Sequence, residues 1–222
     1  NAGSQYYGEN HKDSAKNFQG SVSVVVGPHA SATGGGGAVV MGDHANATTG
    51  LSVAIGANAH AVSIAGSTGT STVAIGASAY ASGNTALALG RQSAATQDFS
   101  QAIGNVAAAT GQGSLAVGHS ANASGYRSIA IGSSNIKDAG STIGTQGVQA
   151  GTDYQEDSQA RASGDDAIAF GSGSQADSFT AIAIGAFSDV ESNSNHSMAL
   201  GNLAKAKNLS LIHISEPTRP LY

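Results

Sequence analysis

Large and small residues alternate along this chain in a fixed phase relative to a recurring glycine. One and three places before the glycine, residues are large and apolar: Val73/Ile75, Leu87/Leu89, Leu115/Val117, Ile129/Ile131, Ile182/Ile184 and Met198/Leu200. Two and four places before it they are small: Thr72/Ala74, Ala86/Ala88, Ser114/Ala116, Ser128/Ala130, Ala181/Ala183 and Ser197/Ala199. Period-two sorting predicts a strand, because a helix at 3.6 residues per turn would mix the two classes. Beyond the glycine a second stretch alternates alanine with polar residues, as in Ala59-His60-Ala61, Ala79-Tyr80-Ala81 and Ala121-Asn122-Ala123. It predicts a second, shorter strand.

The pattern is a repeat. It reads SVAIGANAHA from Ser52, TVAIGASAYASG from Thr72, ALALGRQSAA from Ala86, SLAVGHSANASG from Ser114, SIAIGSS from Ser128, AIAFGSGSQA from Ala167 and AIAIGAFSDV from Ala181. The anchoring glycines Gly76, Gly90, Gly104, Gly118 and Gly132 recur every 14 residues, and Gly27, Gly42, Gly56, Gly144, Gly171, Gly185 and Gly201 extend the series. Such a unit is too short for a strand, a helix and two loops, but it holds two short strands and two tight turns. The predicted fold is therefore all-β: a parallel β-roll, a solenoid of coils each hydrogen-bonded to the next. About 14 coils at ~4.8 Å each would give a rod near 65 Å. The repeats occupy residues 21–208, with residues 1–20 as a degenerate N-terminal coil or cap.

The first strand has two faces of low polarity, and alternation alone does not say which points inward. Setting the small second-strand alanines opposite large Val and Ile would keep the summed volume constant, as dry packing requires. The Ala/Ser face would then form a continuous outer stripe, a surface suited to packing against copies of the same chain. Anchor glycines, and Gly83, Gly111, Gly125 and Gly164 at the end of the unit, are expected to supply turns.

Composition narrows the function classes. Of 222 residues 31 are glycine, Trp and Cys are absent, and the net charge is −5 with 10% charged residues. No basic patch exists to neutralise phosphates, so nucleic acid is not an expected partner. Without cysteine there is neither disulfide nor thiolate chemistry, in keeping with export. No apolar run reaches the ~18–20 residues that span a bilayer. No signal peptide opens the sequence, and the chain reads as a fragment of a longer polypeptide. Leu209 to Arg219, LSLIHISEPTR, resembles the translation of a transposase adapter from short-read sequencing libraries. Residues 209–222 are accordingly expected to be a non-native, poorly packed tail.

The SVAIG, SIAIG and AIAIG segments followed by AxAxG resemble the head repeats of YadA-type trimeric autotransporter adhesins, from about Ser21 to Lys207. The resemblance implies a left-handed β-roll, a homotrimer about a common axis, and an extracellular head held off the bacterial outer membrane by a stalk and anchor further along the chain. It implies adhesion to host matrix, cells or other bacteria, with a matrix protein, glycan or cell-surface ligand as partner. A structural filament or phage tail-fibre rod is the alternative; a membrane barrel beyond the repeats would mark the adhesin, and a chaperone or receptor-tip domain the fibre. The pattern departs between Ser133 and Ser163, where Asp157 takes an anchor position. One or two irregular coils are expected there, with a protruding binding loop as the alternative.

No catalytic, cofactor-binding or metal residue is assigned, no cofactor is expected, and the chain is not expected to be an enzyme. No Ser/His/Asp set can be assembled, no six-residue acyltransferase period exists, and the Gly34–Gly37 run lacks the GK[ST] of a phosphate loop. His29 and His44 occupy equivalent places in adjacent coils and should stack ~4.8 Å apart. They are read as exposed polar residues, with a metal or pH-sensitive site as the alternative. The outward second-strand ladder is chemically mixed, and His60, Tyr80, Asn122 and Arg161 are its candidate ligand-binding residues.

Overall fold

The computed structural model describes residues 4–6, 23–33, 36–62, 71–134, 158–207 and 212–214, and among them it contains strands and turns but no helix. The chain falls into two compact units, Asn1–Gly113 and Ser114–Tyr222.

In the first unit one sheet is formed, in spatial order, by β1 (Ser4–Tyr6), β2 (Ser23–Val26), β4 (Val39–Met41), β6 (Val53–Ile55), β8 (Val73–Ile75), β10 (Leu87–Leu89) and β12 (Gln101–Ile103). A second sheet is formed by β3 (Ser31–Ala32), β5 (Asn46–Ala47), β7 (His60–Ala61), β9 (Tyr80–Ala81), β11 (Ala94–Ala95) and β13 (Ala108–Ala109). The chain alternates between the sheets, and every pairing is parallel and in register, as in Leu87↔Val73 and Leu89↔Ile75. This is a parallel β-solenoid, with six coils among the described residues.

The second unit repeats the design. Its first sheet holds β14 (Leu115–Val117), β16 (Ile129–Ile131), β18 (Ile168–Phe170), β20 (Ile182–Ile184), β22 (Met198–Leu200) and β24 (Ile212–Ile214). Its second sheet holds β15 (Asn122–Ala123), β17 (Arg161–Ala162), β19 (Gln175–Ala176), β21 (Asp189–Val190) and β23 (Lys205–Ala206). These make five coils among the described residues.

The structure settles which face is inside, and it corrects the volume argument. Ala54, Ala74, Ala88 and Ala102 in the first unit, and Ala116, Ala130, Ala169 and Ala183 in the second, are 0% exposed. The Val, Ile and Leu columns point outward instead, with Leu89 40% and Phe170 51% exposed. The outer stripe is thus large and aliphatic, not Ala/Ser. The cause lies in the second strand, whose alanines Ala79, Ala81, Ala107 and Ala109 are also 0% exposed. With small residues converging from both sheets the interior is thin, and only Ala, Ser, Thr and an occasional Val fit. Val40 and Val190 are the largest side chains that are fully buried.

Each coil is also two half-coils of like design, seven residues apart. After Gly76, Ser78 is left-handed, Ala79 is buried, Tyr80 points out and Ala81 is buried. After Gly83, Thr85 is left-handed, Ala86 is buried, Leu87 points out and Ala88 is buried. Several buried serines fit so tight a core because the hydroxyl donates to a turn carbonyl three residues back. Examples are Ser93 to Gly90 (2.8 Å), Ser128 to Gly125 (2.8 Å) and Ser188 to Gly185 (2.9 Å).

The two glycine classes do different jobs. Gly90 adopts φ +134, and a Cβ there would meet the carbonyl oxygen of Gly104 at 2.3 Å, so conformation and space both demand glycine. Gly83 has no positive φ, contrary to expectation for the unit-closing glycines; a Cβ there would lie 1.8 Å from the carbonyl oxygen of Gln97. Its role is close approach of stacked coils. Gly83→Ala should therefore cost on the order of 3 kcal/mol, since a rigid backbone neighbour must give way. Thermal denaturation checks this, and a melting temperature equal to the parent's would mean that the coils have slack at this turn.

Two interruptions leave the register intact. β6 pairs directly with β8 and β7 with β9, although residues 63–70 intervene. β15 pairs with β17 and β16 with β18, although residues 135–157 intervene. The irregular coils, or the protruding loop, expected between Ser133 and Ser163 fall mostly on residues outside those described. Side chains join the described coils on either side: Arg127 grips Asp166 through Nε–Oδ1 (2.6 Å) and Nη2–Oδ2 (2.7 Å), and the Tyr126 amide donates to Asp165 (2.8 Å). The expected anchor Gly144 and the substituted anchor Asp157 lie outside the described residues, as does most of residues 1–20. At the other end pairing continues past Lys207, since β24 adds to β22 with Met198↔Ile212 and Leu200↔Ile214. The rest of the expected tail, residues 209–211 and 215–222, lies outside the described residues. An open parallel edge offers unpaired backbone donors and acceptors, and an extended β-branched segment satisfies them.

Candidate functional site

The second sheet's outer face is the surface on which the mixed ladder stands, because each of its strands buries one residue and presents the other. In the first unit the ladder runs Ser31, Asn46, His60, Tyr80, Ala94, Ala108 through in-register parallel pairs. His60 and Tyr80 are consecutive rungs, with ring centroids 6.3 Å apart and planes tilted by 47°. Tyr80 is 41% exposed. Below them the Ser31 hydroxyl donates to Asn46 Oδ1 at 2.9 Å. These two rings form an open aromatic step that a ligand can stack upon.

In the second unit the ladder is Asn122, Arg161, Gln175, Asp189, Lys205. Asn122 and Arg161 are likewise consecutive. Asn122 Oδ1 is screened from water and has no hydrogen-bond partner. The Arg161 guanidinium is held by Asp177, with Nε to Oδ1 at 3.0 Å and Nη2 to Oδ2 at 2.5 Å, and Nη2 also donates to Gln175 Oε1 at 2.8 Å. The Ser163 hydroxyl donates to the same Asp177 Oδ1 at 2.6 Å. Lys205 Nζ stands 3.6 Å from Asp189 Oδ2, one rung away. Rungs of opposite charge in a parallel register neutralise one another, so this ladder is a self-paired polar face. Asp177 is the residue that sequence reading missed: it follows the second strand of its coil, and only the stacking brings it to Arg161.

On the opposite side each unit carries its aliphatic columns. In the first they are Val24, Val39, Val53, Val73 and Leu87 beside Val26, Met41, Ile55, Ile75, Leu89 and Ile103. In the second they are Leu115, Ile129, Ile168, Ile182 and Met198 beside Val117, Ile131, Phe170, Ile184 and Leu200. A run of half-exposed apolar side chains of this kind is a feature that marks association surfaces.

Stacked parallel coils of this length, with a glycine at one corner and alanines inside, define a β-solenoid repeat protein. A family model described as the YadA head domain repeat (2 copies) matches residues 67–93, 81–107, 109–135 and 162–188. These stretches thus carry YadA-like head repeats. No curated protein matches it.

Proposed function

We propose that this chain is the non-catalytic head of a trimeric, surface-displayed bacterial adhesin. The observation that carries the proposal is the aliphatic stripe on the first sheet's outer face within each unit, next to a head-repeat match. A chain that puts alanine inside and Val, Ile and Leu outside has its large residues arranged for other copies of itself. Three copies joined along this face hide the stripe and leave the second-sheet ladders outward, as the contact surface for a matrix protein, a glycan or another cell. Display on the outer membrane then depends on segments other than the head. Binding proceeds by repetition, many weak contacts acting together through avidity, with the His60–Tyr80 step more accessible than the self-paired Arg161.

The test is sedimentation of the purified chain after release from a trimeric coiled-coil fusion, and then retention on immobilised matrix proteins, glycans and whole cells. A trimer that is retained on at least one such surface is the expected result. A stable, soluble monomer at micromolar concentration would count against the interface, and a trimer that binds none of these surfaces would favour a structural rod.

A further inference from the structure

His29 and His44 lie at equivalent turns of adjacent coils, Gly27-Pro28-His29 and Gly42-Asp43-His44. Both are left-handed, at φ 56 and 54, and the His44 amide donates to the Pro28 carbonyl at 3.0 Å. The turns are therefore fixed relative to each other, and the proline ring stiffens the first. The two imidazoles stack with centroids 4.4 Å apart and planes within 25°, as their places in the repeat predict. Asp43 reaches both: its Oδ1 is 3.4 Å from His29 Nδ1 and 2.8 Å from His44 Nδ1. One ligand atom from each of the three residues falls within a 4.8 Å group, and all three residues are exposed.

We propose that His29, Asp43 and His44 form a site for one divalent cation of the zinc type, tying two neighbouring coils together. A tetrahedral zinc ion with ligands at about 2.0–2.1 Å holds its donor atoms about 3.4 Å apart. The His29–Asp43 pair already has that spacing; the His44–Asp43 pair reaches it, and the stacked rings aim both nitrogens at one ion, by rotation of exposed side chains. Two imidazoles and a carboxylate suit zinc, copper or nickel, whereas calcium and magnesium favour all-oxygen sets. The fourth position opens to solvent and takes water. An exposed aspartate is ionised at neutral pH, the form a cation needs. At the equivalent place in the next coil stands Asn58, whose amide donates to the Asp43 carbonyl at 2.8 Å, so the histidine stack ends after two rungs.

Calorimetric titration of the full chain with zinc chloride, and the visible spectrum on titration with cobalt, test the site. One zinc per chain and a tetrahedral cobalt spectrum are expected. H29N, H44N and D43N should each weaken zinc binding at least tenfold, and H60N should leave it unchanged. Asparagine accepts the left-handed backbone at residues 29 and 44, and D43N alters no backbone, so circular dichroism should match the parent in all three. Zinc affinity that survives H29N, H44N and D43N, or that falls equally in H60N, would overturn the assignment. So would calcium chloride producing the same heat as zinc.

Discussion

Ala88→Leu should lower the melting temperature by about 10 °C at any protein concentration, the equivalent of roughly 3 kcal/mol in a chain of this size. The residue is 0% exposed, and it stacks in register between Ala74 and Ala102, equally buried alanines of the neighbouring coils. Neither in-register neighbour has a flexible side-chain end that could swing away. Three added carbons must therefore push the two sheets apart, and with them the ladder bonds on either side. Leu87→Ala is the reverse case. Leu87 lies on the outer face, between Val73 and Gln101, so its truncation opens no cavity within the coil. Its loss should be felt through association, growing where chains pack against one another and shrinking on dilution. Melts monitored by circular dichroism over a hundredfold range of concentration separate the two. If Leu87→Ala proved the more damaging at every concentration, the large face would line the interior and the structural assignment would be inverted.

The all-β class, the parallel stacking and the strand positions are legible in the sequence because glycine spacing and period-two alternation are local signals. The direction of the faces is harder to read, although the residues contain it. Second-strand His60, Tyr80, Asn122 and Arg161 are polar or large between alanines, which makes the alanines Ala59, Ala61, Ala79, Ala81, Ala121 and Ala123 the inner set. A step of seven residues carries that phase onto the first strand and turns Ala74, Ala88 and Ala130 inward as well. The habit of placing large residues in a core hides this, because a coil built from strands of two to four residues encloses too little width for them. The unit-closing glycines mislead for a related reason. Backbone at φ +134, as at the anchors Gly90 and Gly104, leaves a trace in sequence because it calls for glycine, whereas the approach of Gly83 to the Gln97 carbonyl depends on a neighbour one coil away.

The site residues divide along the same line. Stacking of His29 on His44 comes from equal places in adjacent repeats. Asp43 joins them only because its coil carries the acid where the preceding coil has Pro28. The partnership of Arg161 with Asp177 spans different positions of successive coils, and reading a ladder position by position does not reveal it. Residue type at a rung predicts exposure well. It predicts availability poorly, since opposite charges one rung away pair with each other before any ligand arrives.

Removing one whole coil, Ala77–Gly90, should leave a folded solenoid whose melting temperature lies within a few degrees of the parent, because a solenoid's stability is close to a sum over neighbouring repeats. The deletion joins Gly76 to Arg91 and so returns Ala94–Ala95 to the second sheet, next to β7. β8 then meets β12 with Ala74 against Ala102, both alanines already buried, and Val73 and Ile75 keep their outward column. Removing only Ala77–Gly83 should be far worse, but not because inside and outside exchange: the half-coil repeat keeps small residues inward. The damage falls at the turns and on the stripe. Gln97 would take an anchor position, where Gly90 and Gly104 both have φ +134, and there a side chain is strained and meets backbone. The aliphatic column would also pass from one sheet to the other midway, and association along it should fail. Loss of cooperative melting and of the trimer is expected for the seven-residue deletion alone. The 14-residue deletion removes Tyr80 together with its coil, so it tests the distributed mode of adhesion as well. Retention on a matrix or cell surface should fall by no more than about twofold if many equivalent contacts share the load. Abolished binding by a folded, trimeric deletion variant would instead place recognition at the His60–Tyr80 step.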